Sequence, residues 1–213
     1  MNKKIYIILP HKDQFIKNYA GSASIWVKDF LFESKFKKNI KVIGSTKNTK
    51  NLYSKRNYIN IPISNFKFSS KSDYYTDQII NYFKKNKPSI IEIHNRPSYL
   101  KNIMEANIDA KFMLIFHNDP LTMKGSKSVS ERKYLLEKCS KIYFVSTWVE
   151  EKFFEGIDKN FYSNFKTIYP SIKPLSRFPK KEKIIIFSGK LNRAKGFDKF
   201  SNAIIKILNK YQK

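Results

Sequence analysis

The chain has 213 residues, enough for one ordinary domain and part of another, with a core that needs no disulfide to hold it. Its single cysteine, Cys139, excludes a disulfide framework and fits a reducing compartment, the cytosol by default, and no apolar run approaches the ~20 residues of a membrane-spanning helix. A formal net charge of +25, from 42 Lys and Arg against 17 Asp and Glu, suits an acidic partner such as nucleic acid, an anionic membrane or a phosphate-bearing substrate. Only five of the basic residues are arginine, however, and the surplus of Lys, Asn, Ile, Tyr and Phe is also what an AT-rich genome supplies, so charge alone selects no function.

Short β-branched runs alternate with helical stripes along the chain. Ile5 to Leu9 reads as a buried first strand rather than a signal sequence, because Pro10, His11, Lys12 and Asp13 end the apolar run too early. A helix follows, with Val27, Phe30 and Leu31 at i, i+3 and i+4, and then a strand at 40–43. Residues 44–57 are polar and lysine-rich and read as a solvated loop. Strands are predicted at 58–61, 90–93, 112–116 and 142–145, separated by helices marked by Ile79, Tyr82 and Phe83, by Leu100, Ile103 and Met104, and by the stretches 130–138 and 148–154. This alternation, with apolar residues at nearly every strand position, predicts an α/β domain built on a parallel sheet covered on both faces.

Pro170, Pro174 and Pro179 and the charged run at 180–183 mark an inter-domain linker. The predicted organisation is a first domain at 1–170, a linker at 171–182, and at 183–213 the opening of a second domain: a strand at 184–187, a glycine-containing turn and a helix beginning after Gly196. Those last residues are too few for a core of their own.

Three histidines, His11, His94 and His117, each stand at or just after the end of a predicted strand. Ligands of open α/β sheets bind beyond the carboxyl ends of the strands, so three histidines at three such edges point to one site, although any one of them alone is more simply a loop residue. A zinc site from His94, His117 and Asp119 lacks paired-ligand spacing and ranks low; no metal is expected. Ala20-Gly21-Ser22-Ala23 opens the first helix with small residues that let backbone N–H groups approach an anion, though Gly-Ser is equally an ordinary cap. The loop from Ser188 to Gly196 is more specific: it sets Lys190, Arg193 and Lys195 between a strand and a helix, where cations can meet a diphosphate.

Taken together, these motifs resemble the family-4 glycosyltransferases of the GT-B type, in which two Rossmann-like domains face each other across a cleft. The segment Phe187-Ser188-Gly189-Lys190-Leu191-Asn192, continued by Lys195-Gly196-Phe197-Asp198, is similar to the opening of that family's donor-binding domain. The resemblance implies that Lys190 and Lys195 grip the nucleotide-sugar diphosphate and that Gly21 belongs to a glycine-rich turn near the donor. Phe116-His117-Asn118-Asp119-Pro120 matches the segment whose histidine lies against the donor sugar, which makes His117 the implied catalytic residue. Glu92-Ile93-His94-Asn95-Arg96-Pro97 matches the preceding strand edge, and Phe144-Val145-Ser146 the strand ending in a serine. His94, Asn95, Arg96, Asn118, Asp119 and Ser146 are thereby implied to line the acceptor side or the cleft.

The family completes its donor site with a Glu-(seven residues)-Glu element deep in the second domain, for which this chain has no residues. The resemblance therefore implies part of a glycosyltransferase, inactive by itself, from an enzyme that moves a sugar from a nucleotide-sugar to a cell-surface glycan or lipid-linked acceptor. Retention of configuration, no obligatory metal and no cofactor beyond the donor substrate follow from it, as does a cytoplasmic location with peripheral contact at an anionic inner membrane face. The competing readings are a non-catalytic remnant and a basic nucleic-acid-binding α/β protein. The second of these is disfavoured, because Tyr and Phe are spread over core-like positions instead of forming a basic-aromatic platform, and no nucleic-acid partner is expected.

Overall fold

A computed structural model of the chain describes residues 3–63, 70–171, 180–189 and 191–211. The chain divides into two compact units, Met1–Ser171 and Ile172–Lys213; of the predicted linker, residues 172–179 lie outside the described residues.

In the first unit the elements follow in chain order as β1 (Ile5–Ile8), α1 (Ser22–Glu33), β2 (Ile40–Gly44), β3 (Tyr58–Asn60), α2 (Lys71–Asn86), β4 (Ile90–His94), α3 (Pro97–Glu105), β5 (Lys111–Phe116), α4 (Val129–Lys138), β6 (Lys141–Phe144), α5 (Thr147–Phe154) and β7 (Phe165–Thr167). The strands form one seven-stranded sheet in the order β3-β2-β1-β4-β5-β6-β7, every pair parallel. The architecture is thus α/β, a Rossmann-like sheet flanked by helices. Its order reverses between β1 and β4, the switch point at which the loops after two neighbouring strands diverge and leave a crevice.

Strand alternation sends successive side chains to opposite faces. Tyr6 and Ile8 join a large cluster with Ile79 and Phe83 of α2, Leu100 and Ile103 of α3, Leu135 of α4 and Phe153 of α5. Ile7 and Leu9 face the other way and pack with Val27 and Leu31 of α1. Burying each such side chain fully is worth about 1.5–3 kcal/mol, so the two faces fix the register of the central strands. Local signals set the helix ends. Ser128 and Glu131 form a reciprocal capping box at α4, Ser70 caps α2, and Pro97 occupies the first turn of α3, where its missing N–H costs nothing.

Two expectations need correction. The loop at 44–57 is anchored rather than merely solvated: Thr46 and Asn57 are buried, and the Asn57 amide donates to the carbonyls of Lys37 and Ile40. In the second unit the apolar run at 184–187 forms no strand among the described residues, since a strand exists only through ladder bonds to a neighbour and none pairs with it there. Ile184, Ile185 and Ile186 are exposed, and Phe187 packs edge-on against Phe197 and against Phe200. The expected helix follows as α6 (Phe197–Tyr211), entered through Gly196 at φ 73°, a left-handed conformation that glycine adopts without strain.

Candidate functional site at the carboxyl edge of the sheet

The β4–β5 register places His94 opposite Ile115, so His117, two residues beyond Ile115, projects from the same face. The two rings stack with centroids 5.1 Å apart, and His117 Nε2 lies 2.9 Å from His94 Nδ1. His94, fully buried, turns its other nitrogen to Glu92, its neighbour two residues back on the same face, with Nε2 2.7 Å from Oε1. Trp26 of α1 sits against both imidazoles, at 5.4 Å from His94 and edge-on at 6.0 Å from His117. Burial above all, and then His94, pull the His117 pKa from 6.5 down to about 3, so this imidazole is neutral at physiological pH and can exchange hydrogen bonds without carrying charge.

Asn95 joins the two strand ends. Held at φ 56°, it donates its backbone N–H to the carbonyl of Ile115, and its side-chain Oδ1 accepts from the backbone N–H of His117. A left-handed asparagine is tolerated where its short amide bonds locally, and here that bond fixes where His117 leaves the strand. Arg96 returns its guanidinium to the carbonyl of Asn95 and opens a cleft of about 350 Å³ lined by Asn95, Arg96, Ser72, Ser98, Asn118 and Lys124, with no carboxylate on its wall. Phosphate, carboxylate and hydroxyl groups suit such a wall.

The third histidine is placed differently. His11, just after β1, takes the Tyr99 hydroxyl at 2.8 Å on Nδ1 and lies against Tyr75, and no contact joins it to the His94–His117 pair among the described residues. Burial first, then the positive charges of Arg96, Lys12 and Lys71, lower its pKa.

Other predicted residues have structural partners. Asp119 Oδ1 accepts from the N–H of Leu121 and caps the turn at Pro120–Thr122, while the Ser146 hydroxyl accepts from the N–H of Val149 and caps α5. Among the described residues no three His, Cys, Asp or Glu side chains converge as metal ligands. The backbone N–H of Gly21, expected to meet an anion, donates to Asp13 Oδ1 at 2.8 Å, and the N–H of Ser24 donates to Oδ2 of the same carboxylate. The start of α1 thus carries an anion supplied by the chain itself. In the second unit Lys195 is exposed at the end of the turn Arg193–Lys195, whose first residue pairs with Asp198; Lys190 lies outside the described residues. Sequence reasoning did not single out Glu92, Trp26, Tyr99 or Lys124. Glu92 was legible in principle, as a charged residue in an otherwise apolar strand two positions from a histidine.

No family model matches the chain, and no curated protein matches it. Solved structures do. Anabaena HepE in complex with UDP and glucose is 13% identical with a TM-score of 0.53, over 79% of this chain and 45% of that one. The same protein with UDP-glucose gives 11% and 0.52, over 79% and 44%. A glycosyltransferase from Rickettsia africae gives 16% and 0.51, over 79% and 43%. The likeness shows the fold alone, the Rossmann-like α/β fold of the part that matches. The match spans less than half the length of each of these structures.

Proposed function

We propose that this chain is the acceptor-side part of a glycosyltransferase that takes a sugar from a nucleotide-sugar and delivers it to a glycan or lipid-linked acceptor of the cell surface. The observation that carries the reading is the His94–His117 pair at the carboxyl edge of β4 and β5, beside the switch point of a fold shared with structures that hold UDP-glucose. A neutral imidazole there suits a sugar hydroxyl, which needs a directional partner and no charge. The cationic cleft beside it, with Arg96, Asn118 and Lys124 on its wall, suits an acceptor that brings phosphate or carboxylate groups.

Lys190 and Lys195 are proposed to meet the donor diphosphate, and Gly21 to serve the site indirectly, by letting Asp13 close on the start of α1. Retention of configuration, independence of metal and cofactor, and membership of family 4 rest on the sequence resemblance. So does a cytoplasmic location with peripheral contact at the membrane; no helix among the described residues is long and apolar enough to cross one. In this reading the chain alone transfers no sugar.

The test is calorimetric titration of the chain with a panel of nucleotide-sugars. Binding is expected to be weak for the whole chain, weaker by about tenfold for His117→Ala, as loss of one hydrogen bond implies, and abolished for Lys190→Ala/Lys195→Ala. No binding by any member of the panel, or affinity untouched by all three substitutions, contradicts the proposal.

A further inference from the structure

Glu92 is buried, with 7% of its surface exposed, and its carboxylate lies 2.7 Å from Nε2 of a histidine that is itself fully enclosed. A charged side chain is seldom left inside a sheet face without a task or a partner, and among the described residues its carboxylate hydrogen-bonds to His94. Its influence runs through His94 to His117.

With Glu92 ionised and His94 neutral, the hydrogen positions follow from the two contacts. An ionised carboxylate can only accept, so His94 Nε2 must carry a hydrogen. A neutral imidazole has one N–H, which leaves His94 Nδ1 bare. Two bare nitrogens do not sit 2.9 Å apart in a hydrogen-bonding geometry, so the hydrogen between the rings belongs to His117 Nε2. His117 is neutral as well, and its own Nδ1 is therefore bare; no described residue hydrogen-bonds to that atom. Were His94 charged, both of its nitrogens would donate, and the hydrogen on His117 would move to Nδ1.

We propose that Glu92 is a positioning residue which, through His94, fixes His117 in the Nε2–H tautomer and leaves Nδ1 as a hydrogen-bond acceptor. Carboxylates commonly hold a histidine in one tautomer and one orientation; here the effect passes through a second ring. Trp26 packs against both imidazoles and resists their rotation. The consequence is a restriction on what His117 can read. A bare Nδ1 takes a hydrogen from a hydroxyl and rejects a group that can only accept, such as an ether or phosphate oxygen. That the hydroxyl is a sugar hydroxyl rests on the glycosyltransferase reading; the tautomer does not.

The experiment is long-range ¹H–¹⁵N spectroscopy of the whole chain with ¹⁵N-labelled histidine, near neutral pH and without ligand. The expected pattern has protonated Nε2 and bare Nδ1 on both His94 and His117, with a through-hydrogen-bond coupling from His117 Nε2 to His94 Nδ1. In Glu92→Leu, which removes the acceptor and keeps an apolar side chain of similar bulk, His117 should become a mixture of tautomers. A hydrogen on His117 Nδ1 in the unsubstituted chain, or an unchanged His117 pattern in folded Glu92→Leu, overturns the proposal. If that variant does not fold, the unsubstituted chain alone decides. Since no nucleotide-sugar is present, failure here leaves the glycosyltransferase reading standing, and failure of the panel titration leaves the tautomer standing.

Discussion

Nδ1 of His94 and Nε2 of His117 stand 2.9 Å apart across the carboxyl ends of two neighbouring parallel strands. The contact joins residues 23 positions apart in the chain, brought together by the parallel register of β4 and β5. His94 ends β4, and His117 follows β5 by one residue, on the face the two share. Asn95 holds the step between them, and α1 covers them with Trp26.

The pH dependence of stability should carry the signature of this pair. The His117 pKa falls from 6.5 to about 3 on folding, by burial first and then by His94, so the unfolded chain takes up this proton more readily than the folded one. The contribution of neutral His117 is therefore full above pH 6.5 and is lost as the pH falls toward 3. The urea midpoint should drop between about pH 7 and about pH 5 by more in the unsubstituted chain than in His117→Asn. Equal drops would place His117 in contact with solvent.

The aromatic cluster under β6 is the most sensitive point of the core. Phe144 is fully buried, and its ring meets those of Phe116, Phe153, Phe154 and Phe165 within 6.4 Å. Phe144→Ala should cost about 3–5 kcal/mol through lost burial and an unfilled cavity. Urea denaturation measures it, and a loss below about 1 kcal/mol would mean that the neighbours collapse into the space.

Asp13 and Gly21 should behave as a unit. Asp13→Ala removes the acceptor of two N–H groups at the start of α1, a cost of about 1 kcal/mol. A Cβ added at Gly21 would lie 2.6 Å from Asp13 Oδ1, so Gly21→Ala should displace the same carboxylate. The double variant should then lose little more than either single one. Additive losses in urea denaturation would separate the two roles.

Cys139 gives an independent check on packing. Burial pushes its thiol up to about 12, and thiolate is the reactive form. The folded chain should therefore resist a water-soluble thiol reagent that labels it at once in denaturant. Rapid labelling under native conditions would mean that α4 and β6 part readily.

The fold was legible because each central strand carries its own apolar run and each helix its own stripe, and local pattern is what a sequence displays. β7 was missed because Phe165–Thr167 is three residues long and only partly buried, so nothing in its pattern sets it apart from a loop. At 184–187 the pattern predicts a strand, but pattern cannot supply the neighbour that a ladder requires. Within the site, His94 and His117 were visible as histidines at strand ends, and Asn95 and Arg96 only through the family resemblance. The roles of Asp13 and Trp26 were not, because each depends on how α1 lies against the sheet, a relation no local motif encodes. His11 shows the same limit: it follows β1 as expected, but Tyr99, far along the chain, claims it.

A crystal structure of the chain soaked with UDP-glucose, the sugar nucleotide held by Anabaena HepE, tests the central claim most directly. The account predicts a sugar ring beyond the carboxyl ends of β4 and β5, with a hydroxyl hydrogen-bonded to His117 Nδ1. A sugar nucleotide lodged anywhere else on the first unit, or bound there without contact to His117, would contradict it.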